Sequence, residues 1–314
     1  MPPSDSDRAW RAVRAAADAA ARISAANQPA AFTIDNDGAL GPGPRGDADA
    51  CLLWEPGRGW RHTLAAGDPR TPIVDLYLPI CSATAEHPIT VAHLGQSLDG
   101  FIATHAGESR WVTGEQNMLH MHRLRALCDA VMVGAGTVAI DDPQLTTRLV
   151  TGPNPLRVIL DPDRRLTADH RVFTDTSAET IYICARSAAG ADTAIGHARI
   201  VPLDAGPAGG VDLPGLMRML RGRGCARVFI EGGGVTVSDF LALNLLDRLH
   251  IAIAPLLIGD GRPAIRVPPR AALGDCHRPP CRVFRMGEDI LFDCDLRAGQ
   301  VESGESSGPV MRVV

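Results

Sequence analysis

The sequence has no lysine, and this absence limits the chemistry that the protein can perform. All 31 residues counted as Lys or Arg are arginines, set against 36 acidic residues. A lysine Schiff base and the phosphate-binding lysine of a P-loop are therefore excluded. An anionic ligand has to be held by arginine side chains, backbone amides or helix N-termini. The net charge of −5 also argues against nucleic acid or an anionic membrane as a partner.

The usual zinc and disulfide patterns are missing as well. The eight cysteines are scattered without a C-x-x-C motif, and the closest pair, Cys276 and Cys281, encloses only His-Arg-Pro-Pro. His120 and His122 lie two positions apart on a predicted helix, where their side chains point in different directions. We therefore predict no metal site, and free, mostly buried thiols in a reducing compartment.

No apolar run is long enough to cross a membrane. The N-terminal segment, SDSDRAWRAVRAAADAAARISAAN, mixes aspartate and arginine among alanines. This pattern predicts an amphipathic helix capped by Ser4 or Asp5, without the uninterrupted apolar segment of a signal peptide. Its acidic residues argue against a transit peptide, so a cytoplasmic protein is expected.

Three regions differ in composition along the chain. Residues 1–88 are rich in Gly, Pro and Asp around the strand candidates AFTI and ACLLW, and predict a loop-rich N-terminal extension of unknown role. Residues 89–296 alternate apolar strands with helices, as in an α/β domain with a mostly parallel sheet. Residues 297–314 have the composition of a flexible tail. The predicted strands of the α/β region are ITVAHL, DAVMVG, LRVILD, TIYICA, ARIVPL, RVFIEG, RLHIAIAPLLIG and DILFDCDL, and the predicted helices are Gly114–Leu127, Asp212–Gly222 and Val235–Leu246.

A dinucleotide-binding fingerprint occurs at residues 134–139. The pattern there is G-x-G-x-x-A after an apolar run, and Asp161 follows at about the expected distance. A Rossmann unit also needs a crossover helix of about ten residues or more after these glycines. Pro143 comes seven positions after Gly136 and leaves room for only a turn or two of helix. We therefore predict that the glycines bring the backbone close to a ligand in a fold of another type.

A second glycine cluster, Gly232 to Gly234, lies between a buried strand and an amphipathic helix. A strand, a glycine turn and a helix N-terminus together direct unpaired amides towards an anion. Tight turns between strands and helices also use glycine for purely structural reasons, so this stretch alone supports both interpretations equally.

Four segments, in this order, resemble the reductase domain of bacterial riboflavin-biosynthesis proteins: VAHLGQSLDGFIATHAGESRWVTG, HRLRALCDAVMVGAGTVAIDDPQLTTR, PLRVILD and VFIEGGGVT. The resemblance covers residues 89–296. It implies a dihydrofolate-reductase-like fold, an α/β three-layer sandwich with a mostly parallel, twisted central sheet that binds NADPH without a Rossmann unit. In bifunctional family members a zinc deaminase precedes this domain, and its H-x-E and P-C-x-x-C motifs do not occur here.

The resemblance also implies a reaction and a set of site residues. The family reduces 5-amino-6-(5-phosphoribosylamino)uracil to its ribitylamino form, with hydride transfer from NADPH to the sugar C1 through an open-chain imine. Residues that match cofactor positions are Gly95, Trp111, Thr137, Asp141, Pro162, Gly233, Gly234, Val235 and Thr236. Residues that match substrate positions are Ser109, Arg125, Leu145, Arg148 and Glu231. Catalytic roles are predicted for Asp141, Glu231 and His93, and a homodimer is expected.

Some of these residues also have plain structural interpretations. Arg125 lies on a predicted helix, where an ordinary surface arginine is the alternative, and Trp111 could belong to the core. Asp141 and Asp142 precede a proline, so one of them could serve only to begin a turn.

At one position the sequence departs from the family. Where the riboflavin enzymes usually carry a lysine, this chain has His93, which either handles a proton or replaces the hydrogen bond of that lysine. The departure leaves open a reductase of another pterin-like or heterocyclic compound, or a non-catalytic NADPH sensor. Arg164 and Arg165 are the candidates for binding the 2′-phosphate that distinguishes NADPH from NADH.

Overall fold

The computed structural model describes residues 4–43, 49–206 and 209–298. The chain divides into two units. The first holds Met1–Ile89, Leu127–Asp129 and Leu220–Arg227, and the second holds Thr90–Ala126, Ala130–Met219 and Val228–Val314. Most of the predicted tail, residues 299–314, lies outside the described part of the chain. Within the described part, no helix is long and apolar enough to span a membrane.

The first unit combines two helices with a small antiparallel sheet. In chain order its elements are α1 (Asp5–Ala25), β1 (Ala30–Ile34), β2 (Leu40–Gly43), β3 (Leu52–Glu55), β4 (Gly59–His62) and α2 (Thr71–Cys81). The strands pair in the order β2-β1-β3-β4. The region is therefore more regular than its composition predicts, because the short strands between its Gly- and Pro-rich turns pair with one another.

Helix α1 begins where the sequence predicts. The Ser4 hydroxyl accepts a hydrogen bond from the Asp7 amide at 3.1 Å, and the Asp7 carboxylate accepts one from the Ser4 amide at 3.1 Å. These two bonds form a capping box. The Trp60 indole donates a hydrogen bond to the carbonyl oxygen of Ala16 at 3.2 Å and so ties β4 to this helix. Helix α2 has no clear sequence signal, because TPIVDLYLPIC is apolar almost throughout and lacks a side-chain cap.

The remaining elements build a large sheet with helices and a small two-stranded ribbon. In chain order they are β5 (Ile89–Ser97), β6 (Phe101–Thr104), α3 (Glu115–Leu127), β7 (Ala130–Gly134), α4 (Ala135–Asp141), β8 (Leu156–Leu160), α5 (Arg171–Thr174), β9 (Thr180–Ala185), β10 (Ala194–Ile195), β11 (Ala198–Leu203), α6 (Leu213–Gly222), β12 (Arg227–Glu231), α7 (Gly234–Ala242), β13 (Arg248–Ala254), β14 (Gly261–Pro263), β15 (Cys281–Met286) and β16 (Asp289–Asp295).

The large sheet has ten strands in the order β10-β11-β9-β8-β7-β12-β5-β13-β16-β15. Strands β11, β9, β8, β7 and β12 pair parallel in that order, and so do β5 and β13. Strands β10, β16 and β15 join antiparallel. The central strands are buried almost throughout, which explains their continuous apolar sequences. The predicted α/β class with a mostly parallel central sheet is confirmed.

Helix α4 has the length that Pro143 allows. It is seven residues long, with Gly134 as its N-cap and Asp142 as a left-handed C-cap at φ 40°. The prediction that only a turn or two of helix follows these glycines is confirmed, so the fingerprint does not mark a Rossmann crossover.

Two other elements are shorter than the sequence predicts. Helix α7 ends at Ala242, four residues before the predicted end at Leu246. Strand β13 ends at Ala254, because Pro255 follows it and cannot donate a ladder hydrogen bond.

The strand register, and not the sequence spacing, decides which thiols meet. All eight cysteines are free. Cys281 on β15 lies opposite Cys294 on β16, and their sulfur atoms are 2.8 Å apart.

Candidate active site

A cavity of about 840 Å³ lies at the carboxyl ends of the parallel strands in the second unit. Its wall includes Gly134 after β7, Pro162 after β8 and Glu231 at the end of β12. Strand β5 adds His93 and Gly95. Ligands of open α/β sheets bind at this edge, where the carboxyl ends of parallel strands meet.

The cavity brings together most of the predicted site residues. Its lining includes His93, Gly95, Ser109, Arg125, Thr137, Asp141, Pro162, Glu231, Gly233, Gly234, Val235 and Thr236. Three predicted residues, Trp111, Leu145 and Arg148, are not part of this lining.

The three residues outside the lining have different surroundings. The Leu145 side chain is fully buried, so the structure does not present it to a ligand. Trp111 is 76% exposed, so the interpretation of Trp111 as a core residue is wrong. Arg148 is exposed, and its guanidinium donates a hydrogen bond to the Thr146 hydroxyl at 2.5 Å. The ligand-binding roles of all three stay predictions.

The glycine turn between β12 and α7 is required by close packing. Gly232 and Gly233 have φ values of 69° and 72°, a conformation that glycine adopts at little cost. A Cβ atom on Gly234 would lie 2.0 Å from the carbonyl oxygen of Ala264, so a side chain is excluded there. Helix α7 begins at this turn without a side-chain cap. The turn therefore has a structural reason, and it also leaves the first amides of α7 without a capping side chain at the cavity wall.

Arg125 and Glu231 form a buried ion pair in the cavity wall. Arg125 Nε donates a hydrogen bond to Glu231 Oε2 at 2.7 Å, and Nη2 donates to Oε1. Arg125 Nη1 also donates to the carbonyl oxygen of Thr146 at 3.1 Å. The interpretation of Arg125 as a surface arginine is wrong, because the residue is 5% exposed. The pair is neutral as a whole, so it offers a ligand hydrogen-bonding groups instead of a free charge.

Asp141 and Asp142 have different tasks. Asp141 lines the cavity and its Oδ1 accepts a hydrogen bond from the Ser109 hydroxyl at 2.8 Å. Asp142 ends helix α4, and its carboxylate accepts a hydrogen bond from the Arg171 amide at 2.7 Å. Asp142 is therefore the turn residue, and Asp141 is the one that faces the cavity.

His93 lies in the middle of β5 with an unusual environment for a polar side chain. It is 2% exposed, and neither ring nitrogen has a hydrogen-bond partner among the described residues. Burial, with a smaller effect of His250, lowers the pKa of His93 to about 3. The ring is therefore neutral at physiological pH and carries one donor and one acceptor.

The lining also contains two arginines, Arg262 and Arg266, that no motif in the sequence marks as site residues. Arg262 lies in β14, which pairs with β6 so that Arg262 is opposite Ala103. Its guanidinium lies over Gly107, where a Cβ atom would come within 3.0 Å of Nη2. In the sequence, these residues are only two arginines in the Gly- and Pro-rich segment after β13. Nothing in that segment predicts that β14 pairs with β6 and so brings Arg262 to the cavity.

Comparison with known proteins gives a consistent match. Residues 88–278 match the RibD C-terminal domain family. The chain is 34% identical over 216 residues to a 2,5-diamino-6-ribosylamino-4(3H)-pyrimidinone 5′-phosphate reductase of Methanothermobacter thermautotrophicus, which covers 67% of this chain and 99% of that protein. It is 33% identical over 211 residues to the riboflavin biosynthesis protein RibD of Aquifex aeolicus. This alignment covers 67% of this chain and 58% of the Aquifex protein.

A solved structure agrees with this match. A diaminohydroxyphosphoribosylaminopyrimidine deaminase/5-amino-6-(5-phosphoribosylamino)uracil reductase of Thermotoga maritima aligns with a TM-score of 0.57 and 26% identity, covering 72% of this chain and 61% of that one. The chain thus spans nearly all of the archaeal reductase and about three fifths of the Aquifex and Thermotoga proteins.

Substitution of Arg125 by Met tests the energetics of the buried ion pair. Arg125→Met leaves the Glu231 carboxylate buried without its partner, so we expect the free energy of unfolding to fall by ~3 kcal/mol in urea denaturation. The matched control is Arg186→Met, which removes an exposed ion pair with Asp204 (2.7 Å) and should cost less than ~1 kcal/mol. Equal costs for the two variants would show that Arg125→Met does not leave an uncompensated buried charge on Glu231.

Proposed function

Because this chain belongs to the RibD C-terminal domain family, we propose that it reduces a phosphoribosylamino-pyrimidine in riboflavin biosynthesis. The substrate is 5-amino-6-(5-phosphoribosylamino)uracil, the product is its ribitylamino form, and the hydride donor is NADPH. The observation that carries the proposal is that one cavity collects residues from β5, α4, β12, α7 and the segment after β8 that match the family's cofactor and substrate positions.

The cavity residues fit a nicotinamide dinucleotide. A Cβ atom on Gly136 or Gly232 would meet nothing within 4 Å, so the backbone at both positions is open to a bound group. Helix α7 is nine residues long and begins beside Gly233 without a side-chain cap, an arrangement that favours a pyrophosphate. When bound, NADPH supplies the hydride.

The arginine assigned to the cofactor 2′-phosphate is Arg165. It lines the cavity, whereas the Arg164 guanidinium donates hydrogen bonds to the carbonyl oxygen of Ala189 and, at 3.2 Å, to Asp192. Arg165 Nε lies 3.7 Å from Asp161 Oδ1, and its side chain is two-thirds exposed, so the guanidinium can reorient towards a phosphate.

Arg148 is the arginine assigned to the substrate phosphate. No ion pair links it to a carboxylate within the described residues, in contrast to Arg125. The guanidinium end of Arg148 is partly buried against Thr146, and this burial, followed by the nearby charge of Arg125, lowers the pKa of Arg148 below its ordinary value. A phosphate dianion next to Arg148 would offset this repulsion and gain charge-assisted hydrogen bonds.

The remaining residues would orient the pyrimidine and handle its protons. Glu231 is fixed by Arg125, and its carboxylate oxygens have lone pairs left for donors of the substrate. Ser109 and Asp141 form a hydrogen-bonded pair at the cavity wall that can accept from a sugar hydroxyl. His93 offers one donor and one acceptor from inside the sheet.

The decisive experiment is an assay of NADPH oxidation by the full chain with 5-amino-6-(5-phosphoribosylamino)uracil. We expect NADPH to be consumed with this substrate, NADH to react much more slowly, and dihydrofolate not to react. Turnover of dihydrofolate or another heterocycle instead would favour the alternative reductase. Tight NADPH binding without turnover of any of these compounds would favour a sensor.

Gly136→Val tests where the cofactor lies. The branched side chain would occupy the open space at the start of α4, so the Kd for NADPH should rise about tenfold or more, while folding is preserved. Gly274→Val is the matched control, because a Cβ there also meets nothing within 4 Å but Gly274 does not line the cavity. Unchanged affinity in Gly136→Val would remove α4 from the cofactor site.

Arg148→Ala tests the phosphate assignment. Loss of one charge-assisted contact should raise the KM for the phosphorylated substrate about 10- to 100-fold, with the Kd for NADPH unchanged. Arg186→Ala, at an exposed position, is the control and should change neither constant. An equal loss of both affinities in Arg148→Ala would assign this residue to the cofactor or to the fold.

A further inference from the structure

Four buried titratable side chains extend from the cavity towards the antiparallel edge of the sheet. His93 on β5, His250 on β13 and Asp293 on β16 are partners in the strand register, so they lie side by side on one face of the sheet. His120 on α3 packs against the two histidines. None of the four residues is more than 2% exposed.

The contacts between these side chains are close. His250 Nε2 lies 3.2 Å from Asp293 Oδ1, within ion-pair distance although the N–H is not aligned for a hydrogen bond. His250 Nδ1 lies 3.1 Å from His120 Nε2. The rings of His120 and His93 meet edge to face, with centroids 5.0 Å apart at 73°.

Asp293 is the charged end of this row. Its carboxylate accepts hydrogen bonds from Arg248 Nε at 3.0 Å and from Arg282 Nη2 at 2.7 Å. Burial would raise the pKa of Asp293, but the close N–H side of the His250 ring and the positive charges of Arg248 and Arg282 together hold it below its ordinary value. Asp293 is therefore ionised and can only accept hydrogen bonds.

This carboxylate determines the tautomer of His250 and, through His250, that of His120. The negative charge favours a proton on the facing Nε2 atom of His250, which leaves Nδ1 as a lone pair. The His250 lone pair then accepts from His120 Nε2, which must carry a proton. Burial, followed by His93, His250 and Arg123, lowers the pKa of His120 well below its ordinary value, so this ring is neutral too.

We propose that Asp293, His250 and His120 are positioning residues that hold the neutral ring of His93 in one orientation, so that His93 moves a proton on the substrate. The buried ring nitrogens of His93 have no hydrogen-bond partner among the described residues, and His93 lines the cavity, where a substrate group can supply the missing partner of one nitrogen. The proposal rests on the proposed reductase function.

The proton transfer belongs to the opening of the ribosyl ring. The bond between the sugar C1 and the ring oxygen breaks, and a double bond forms between C1 and the exocyclic nitrogen. The lone pair of one His93 nitrogen takes the proton from the exocyclic nitrogen, and the same His93 nitrogen passes a proton to the ring oxygen. The imidazole therefore begins and ends the step neutral. An ammonium group in the same place has donors only, so it could give a proton to the ring oxygen but could not accept one from the exocyclic nitrogen.

The charged and titratable groups around His93 come from several elements. Helix α3 contributes His120 and, beside it, Arg123, together with the polar Asn117. The edge strands contribute His250, Asp293, Arg248 and Arg282. Arg123 disfavours protonation of His120. The Asp293 carboxylate lies next to His250, and Arg248 and Arg282 are paired with that carboxylate. His93 therefore stays neutral at every pH well above its pKa of about 3.

Nitrogen NMR of the histidine rings tests the positioning directly, without substrate or cofactor. In the full chain with ¹⁵N-labelled histidine, we expect His120 and His250 as Nε2-protonated tautomers at neutral pH, and His93 as a neutral ring from neutral pH down to about pH 5. Single His→Gln variants assign the signals. A neutral Nδ1-protonated tautomer of His120 or His250, or a cationic His93 at pH 5, would overturn the proposal, whatever the enzyme reduces.

Kinetics of two His120 variants test the effect on the reaction. Gln retains an N–H donor at the position of Nε2, whereas Leu fills similar space without one. We expect His120→Leu to lower kcat for the pyrimidine about tenfold or more, and His120→Gln to stay within about threefold of the wild type. The KM for NADPH should not change in either variant. His197→Leu, at an exposed position, is the matched control.

The outcomes separate this inference from the proposed function. Equal kcat values for His120→Leu and His120→Gln would overturn the positioning role, even if the wild type reduces the pyrimidine. If the wild type does not reduce it, the proposed function fails, and the tautomers measured by NMR still decide whether Asp293 orders the rings of His250 and His120 that pack against His93.

Discussion

Close approach of backbone segments at one edge of the sheet is the constraint on which the site depends. A Cβ atom on Gly234 would lie 2.0 Å from the carbonyl oxygen of Ala264, and one on Gly134 would lie 2.6 Å from the hydroxyl oxygen of Thr236. Because both positions are glycine, helices α4 and α7 and the segment after β14 can meet there. The cavity wall is formed by this meeting, so its shape follows from packing at a few backbone positions.

Because the protein has arginine but no lysine, its buried acceptors are satisfied by planar guanidinium groups that each carry several donors. Arg157 is fully buried on β8, where it donates hydrogen bonds to the Thr180 hydroxyl at 2.7 Å and the Ala178 carbonyl oxygen at 2.6 Å. Arg125 similarly satisfies Glu231 and a backbone carbonyl. A guanidinium carries five donors in a fixed arrangement, so one residue can satisfy several buried acceptors. Many arginines here are therefore structural, whereas exposed arginines such as Arg148 and Arg165 can turn towards a ligand.

The predictions that succeeded rest on short stretches of chain. The strands of the α/β region are continuous apolar runs, and Pro143 limits helix α4 through local geometry. The order of the four family motifs is likewise visible in the sequence alone. The pairing of β6 with β14, which brings Arg262 to the cavity, joins segments about 160 residues apart and has no local signal. The same holds for the register that places His93 beside His250.

The sequence by itself determined the fold class, the absence of a Rossmann crossover and many of the residues that line the cavity. These features follow from periodicity, from proline and glycine geometry, and from motif order, all of which act over a few residues. Only the tertiary structure decided that Arg125 is neutralised by Glu231 and that Asp142 ends α4 while Asp141 faces the cavity. Burial and charge pairing depend on which distant segments become neighbours, and a one-dimensional pattern does not contain that information.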